Sequence, residues 1–519
     1  MKRVVIVGGG VTGLTTAFEI REAAARVGAE VEVVVLEAGG DPGGNIRTER
    51  TDGYTIEGGP NGFLDNAPRT MELVRRIGLV HRLQRANEAA ARRFIYRGGT
   101  LHPAPTGPVS FLRSGLLSLP GRLRVFAEPF ARTRPDGVDE TIFGFASRRI
   151  GSEAASVLVD AMVSGVFAGD VHTLSLQSSF PKMAAMEAEH GGLVKAMVAR
   201  MKTRRAAKRE VEERRARGED VETMTRPGGP AGPGGTLTSF DSGLDTLIEG
   251  LLDVLGGAVR TDAPVAAIER GQLGTARDDA DDDAGDDAGA DAGPAGADAG
   301  HGAGDGRDHA SSRRWRVRLA SDDVLDADAV VVTIPSPRAA PILEPADAEL
   351  AGVVGQIRTA GLAVVATGYA ADRIPEVDGF GFLVPRGEDL RILGCLWDSS
   401  IFPGRAPEGK VLLRCMIGGA HDPAAVSEDH EVLLNQVRHD LERSMGIRAE
   451  PELTRIYRWP LGIGQYDVGH QERLDRIHAR LAARPGLWVA GSSYYGVSMN
   501  ACIEKAGEQG PEIVEYLAS

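Results

Sequence analysis

The sequence predicts a mixed α/β and α+β fold: a discontinuous Rossmann-like nucleotide domain, a second domain on a mixed or antiparallel sheet, and a helical domain. Three observations carry this. A glycine-rich turn joins an apolar strand to a helix at the N-terminus. A second strand, turn and helix start closes the chain. Alternating apolar segments and helical stretches fill the middle. At 519 residues the chain exceeds one ordinary domain, so two or three are expected.

The N-terminal unit comes first. Val4, Val5, Ile6 and Val7 form a strand, residues 8–13 read Gly-Gly-Gly-Val-Thr-Gly, and a helix-like run begins at Leu14. In this pattern Gly8 permits the tight turn, Gly10 admits a pyrophosphate close to the main chain, and Gly13 lets helix and strand pack closely. The helix start offers free N–H groups and positive dipole to a diphosphate. A second strand, 32–36, ends at Glu37, where a ribose 2′-OH would be held.

Two further glycine patches follow. Residues 41–48 contain Gly43, Gly44, Asn45 and Arg47, a turn able to run along the same diphosphate with a cation nearby. Residues 57–63 contain Gly59, Pro60, Asn61 and Gly62. Clustered glycines imply main chain pressed against a flat ligand. Each patch alone reads equally as a surface turn; three in series do not. At the far end, 486–492 reads as a strand ending at Gly491, and Val497, Ser498 and Met499 open another helix. A second helix N-terminus suits the ribityl or pyrimidine end of a flavin, so FAD is expected rather than NAD.

With these residues in place the chain resembles the FAD-dependent, amine-oxidase-like superfamily, and within it the protoporphyrinogen/coproporphyrinogen oxidases of haem biosynthesis. The narrowing segments are 164–170 (Ser-Gly-Val-Phe-Ala-Gly-Asp), 379–385 (Gly-Phe-Gly-Phe-Leu-Val-Pro), 402–407 (Phe-Pro-Gly-Arg-Ala-Pro) and 459–470, from Trp459 to His470. The likeness covers nearly the whole chain. Gly464 stands where a Pro is usual, and Ser498 where a Gly is common.

Composition is globular, at 42% hydrophobic and 25% charged. The net charge of −14 is unsuited to nucleic acid, and none is expected as a partner. Residues 274–312 carry eleven Asp against two Arg, which leaves about −5 for the rest. That tract has too few large apolar side chains to offset the entropy of ordering it, so a disordered insertion is expected. A calcium-binding repeat is the sharper alternative, but the Asp spacing is irregular. Cys395, Cys415 and Cys502 have no metal spacing and an odd count, consistent with a reducing cytoplasm; no metal is expected. No secretory leader and no membrane-spanning run is read.

The nucleotide domain is expected at 1–86, 237–334 and 459–519, the substrate domain at 87–109 and 335–458, and the helical domain at 110–226. Residues 203–220 read as a solvated charged helix and 226–235 as a Pro/Gly hinge. Residues 110–130 interleave Phe111, Leu112, Leu116, Leu117, Leu119, Val125, Phe126 and Phe130 with Arg113, Arg122 and Arg124. They suit either a membrane interface or a core helix with a basic edge.

The resemblance implies three successive two-electron oxidations of a porphyrinogen by FAD, with O2 as acceptor and peroxide released. It implies Val265 at the adenine, although an ordinary buried strand valine would equally explain that residue; Trp459 reads equally as packing near the flavin or as plain core. Arg93 is implied as the anchor for a substrate propionate, a role its guanidinium fork suits. Leu383 and Phe402 are implied as walls sandwiching the macrocycle, although core packing accounts for either. Gly165 and Gly169 would admit close approach of the ring. The family's habits add peripheral membrane contact and homodimers. No catalytic side chain is assigned; His470 and Asp170 are the titratable motif residues considered and set aside. The expected substrate is protoporphyrinogen IX. Coproporphyrinogen III, an amine oxidase or carotenoid desaturase, and a non-catalytic flavoprotein are the alternatives.

Overall fold

Lys2–Val7 pairs in parallel with Val31–Leu36 on one side and Ala329–Val332 on the other. Val259–Arg260 and Leu487–Val489 complete a five-stranded parallel sheet. This computed structural model describes residues 1–134, 138–199, 201–203, 209, 235–271 and 315–519. The acidic tract, and nearly all of 203–220 and 226–235, lie outside the described residues.

The sheet's strands are near-continuous valine runs because both faces are covered. Val4, Ile6, Val33, Val35 and Val331 meet the helices Val11–Val27 and Met499–Ala518 on one face. Val5, Val7, Val34, Val330 and Val332 meet a second core on the other. One sheet thus draws strands from both ends and the middle of the chain.

The second core also takes in Ala339, Ile342, Leu343, Leu350 and Val354, from the helices Ser336–Leu343 and Ala348–Val354. These helices carry their apolar faces onto the parallel sheet. The boundary expected at 334 therefore falls too early; the chain next enters the second sheet at Thr359. The boundary expected at 459 falls inside one strand, Leu453–Gly464, which hydrogen bonding to Thr359–Ala370 holds together.

That second sheet has seven strands in the order Leu453–Gly464, Thr359–Ala370, Lys410–Gly418, Ile392–Leu396, Gly381–Leu383, Arg93–Arg97 and Thr100–Pro103. Pairing is antiparallel except between Gly381–Leu383 and Arg93–Arg97, so the sheet is mixed, as expected. Alternation divides its residues. Ala363, Val365, Leu413 and Cys415 pack under the helix His430–Met445. Leu362, Val364, Arg414 and Met416 face the other way, into a cavity.

The described part of the helical region includes Ile142–Ile150, Asp160–Phe167 and Pro181–His190. Residues 110–130 form no single helix. Pro108–Arg113 and Leu119–Phe126 are separated by Leu116 and Leu117, which are buried in a core of their own. Leu112, Leu119, Leu123 and Phe126 stay exposed, and Phe130 is 89% exposed. The guanidinium of Arg124 donates to the carbonyls of Arg148 and Arg149, so this arginine serves the fold. Among the described residues, no helix is long and apolar enough to cross a membrane.

Candidate functional site

A cavity of about 430 Å³ opens where the C-terminal ends of the parallel strands face the mixed sheet. Ligands of open α/β sheets bind at this edge, beyond the carboxyl ends of the strands. Three chain turns arrive there. Gly10 follows the first strand, Thr333 to Pro335 follow Ala329–Val332, and Ser492 follows Leu487–Val489.

The glycines of the first turn divide the work. A Cβ at Gly13 would collide with the Gly8 carbonyl oxygen, so helix and strand touch there as expected. Gly8 lies behind the wall, where a Cβ would stand 2.7 Å from Ile334 Cγ2. Gly10 lines the cavity. Glu37 accepts from the N–H groups of Gly9 (2.8 Å) and Gly39 (3.0 Å), which fixes the carboxylate beside the turn.

Gly44, Asn45, Gly59, Pro60, Asn61, Gly62, Gly165, Trp459, Val497, Ser498 and Met499 all line the cavity. Segments some 400 residues apart in sequence thus meet at one place. A Cβ on Gly59 would collide with the Asn45 carbonyl oxygen, so these two glycine patches are pressed together. Asn45 Nδ2 donates to the Gly462 carbonyl at 2.8 Å. Ser498 caps the last helix, its hydroxyl accepting from Ala501 N at 3.2 Å; the departure from Gly is thus an N-cap. Gly464 packs tightly, since a Cβ would lie 2.6 Å from the Ser492 carbonyl oxygen.

Asn61 bears on the cofactor. Both its amide oxygen and its amide nitrogen are inaccessible to solvent and have no hydrogen-bond partner within the protein. Buried polar groups are normally satisfied. An unmet donor and acceptor in a glycine-walled cavity, with two helix starts at Val11 and Met499, fit a nucleotide with polar ring edges. The residues present therefore suit FAD.

Other predicted residues lie elsewhere. Arg47 is exposed and pairs loosely with Asp41 at 3.8 Å. Val265 begins an antiparallel strand and packs on the second core. Gly491 supports the last turn behind the cavity, a Cβ there standing 3.1 Å from the Thr333 carbonyl oxygen. Leu383 packs on Gly165, where a Cβ would stand 2.6 Å from Leu383 Cδ2. Gly169 faces Gln465 and Leu174, so its missing side chain serves packing within the protein rather than a ring. Phe402 needs correction: it is fully buried with Ala86, Ala90 and Ile401, the Arg405 guanidinium lying 5.3 Å from its ring centre, and cannot face a substrate. Arg93 is half-buried with its guanidinium 4.8 Å from the centre of the Phe380 ring, and burial pulls its pKa below the usual arginine value.

His470 and Asp170 are both engaged. His470 is buried, stacks on Tyr466 and places Nε2 at 3.1 Å from the Tyr494 carbonyl oxygen; Asp170 pairs with Arg386 at 2.7 Å. The sequence reading missed Thr12, Thr333, Leu362, Val364, Leu396, Met416 and above all Arg414. A charge inside the apolar strand Lys410–Gly418 was the signal for Arg414.

The family model for flavin containing amine oxidoreductases matches residues 11–292 and 308–509. The chain belongs to that family. Its cofactor is FAD, as the glycine patches predict. This flavin-containing amine oxidoreductase is 31% identical to the coproporphyrinogen III oxidase of Bacillus subtilis, over 100% of this chain and 99% of that protein. It is 30% identical to the chloroplastic protoporphyrinogen oxidase of Oryza sativa subsp. japonica, over 99% and 88%. A crystal structure from Exiguobacterium sp. 255-15, provisionally called a protoporphyrinogen oxidase, superposes with a TM-score of 0.77 at 27% identity, over 100% and 99% of the two chains. The expected resemblance to porphyrinogen oxidases is borne out.

Proposed function

We propose that this oxidoreductase converts a porphyrinogen, protoporphyrinogen IX in the first instance, to the porphyrin in haem biosynthesis, with O2 as final acceptor. Full-length relatives named for that chemistry support it. The observation that carries it is the cavity itself. The apolar sheet face of Leu362, Val364, Leu396 and Met416 lines it, a setting for a broad, flat, greasy ring.

FAD, when bound, would accept one hydride from carbon in each of three two-electron turns and pass the electrons to O2; over the three turns the bridging carbons lose four hydrogens and the nitrogens two, three of the six leaving as protons. The protein's part is to place and shield the ring. The apolar face excludes water. Leu383 backs the wall at Gly165, behind the lining. Arg93 holds a propionate from the neighbouring strand of the same sheet. With His470 and Asp170 both engaged, no side chain is assigned as a base.

Among the described residues lining the cavity, Arg414 is the cation, and its hydrogen bonds go to Asp398 and the main chain. This favours the substrate with fewer carboxylates. Coproporphyrinogen III is the second reading, favoured by the 31%-identical relative. The reading includes a cytoplasmic homodimer that touches the inner face of a membrane; the exposed Leu112, Leu119, Leu123, Phe126 and Phe130 support that contact. Aerobic assays offering both porphyrinogens in competition, read by porphyrin fluorescence and peroxide yield, test the proposal. Lack of turnover with either defeats it.

A further inference from the structure

Three successive carbonyls of the flavin-site segment are each held by a side chain of the mixed sheet. Arg414 Nη1 donates to the carbonyls of Glu57 (2.7 Å) and Gly59 (2.6 Å). Trp459 Nε1 donates to the one between them, Gly58, at 2.6 Å. Arg414 is 2% exposed, and its Nε donates to Asp398 at 2.8 Å, itself 1% exposed. Beside this pair lies another, Arg405 with Glu57 at 3.1 Å, both 1% exposed. Four buried charges thus join the strand Lys410–Gly418, the short helix Asp398–Ile401 and the loop at Arg405 to the chain that precedes Pro60 and Asn61.

Such a cluster is costly to assemble, and buried ion pairs often contribute little net stability. This one sits at the cavity wall. Arg414 lines the cavity and Asp398 does not, so the arginine is the member of the pair at the wall of the site. Charges and hydrogen bonds at such positions tune a cofactor's electronics.

We infer that Arg414 is a positioning residue for the flavin site: it clamps the carbonyls of Glu57 and Gly59 and keeps a buried positive charge at the cavity wall. The inference rests on the FAD part of the function proposed above and on no particular substrate. Gly59 and Asn61, at the end of the clamped segment and just beyond it, line the cavity. The charge favours the reduced, electron-rich flavin.

The test compares Arg414→Lys with the neutral pair Arg414→Gln/Asp398→Asn, using FAD titration and the midpoint potential of the holoenzyme. The lysine variant keeps the charge but not the two-carbonyl grip. Its FAD dissociation constant rises about tenfold, and its potential stays near that of the unsubstituted protein. The neutral pair loses FAD affinity as well and shifts to a more negative potential. Folded variants with unchanged affinity and potential would overturn the inference. So would failure of both variants to fold, which would mark a role in stability alone. If the unsubstituted protein binds no FAD, both readings fall. If it binds FAD but oxidises no porphyrinogen, only the earlier one falls.

Discussion

The Trp459 indole donates to the Gly58 carbonyl at 2.6 Å, across 401 residues of sequence. One bond therefore ties the strand Leu453–Gly464 to the glycine patch that forms a wall of the cavity. Trp459→Phe keeps the ring but leaves a buried carbonyl without a donor. The expected cost is about 1–3 kcal/mol, felt as a roughly tenfold weaker hold on FAD. Flavin fluorescence titration measures it, and unchanged affinity would show the bond to be incidental.

Gly13→Ala places a methyl against the Gly8 carbonyl oxygen. Overpacking of this kind costs about 1–3 kcal/mol, and here the strain falls at the diphosphate turn. The protein should fold with a lowered melting temperature and retain little FAD after gel filtration. Full retention would mean that helix and strand separate at little cost.

Arg93→Ala removes the proposed propionate anchor. A hydrogen bond to a charged group contributes about 1.5–3 kcal/mol, so KM should rise roughly ten- to hundred-fold with FAD content unchanged. Arg93→Lys keeps the charge without the fork and should recover only part of the loss. A KM unmoved by either change assigns Arg93 to packing against Phe380.

Acid sensitivity should come partly from His470. Burial holds its pKa below the usual histidine value, so the folded state binds fewer protons than the unfolded one below about pH 6.5. Its contribution is intact above that point and is lost as the pH falls towards the folded pKa. Replacing it with Phe, which keeps the stack on Tyr466, should flatten the fall in melting temperature between about pH 7 and pH 5. Parallel curves for both proteins would put the sensitivity elsewhere, such as His421, which burial and Arg386 also lower.

The glycine turns were legible because their logic is local. Gly10, Gly44, Gly59 and Asn61 sit in patterns a few residues long, and the structure brings them to one cavity. Phe402 was misread because a motif does not reveal which way a side chain points; this one turns into a small core under Arg405. Arg414 and Asp398 were missed because their meaning depends on Glu57 and Gly59, more than 300 residues away. The boundaries at 334 and 459 failed for a related reason. Helices 336–354 are amphipathic on either reading, and only packing decides which sheet they cover.

The account stands most directly on one anaerobic experiment. The oxidised holoenzyme is mixed with protoporphyrinogen IX in the absence of O2 and the flavin's visible absorbance is followed. The account predicts that the yellow colour bleaches within a single turnover and returns when air is admitted, with porphyrin fluorescence rising alongside. A flavin that stays oxidised in the presence of this substrate and of coproporphyrinogen III would contradict it.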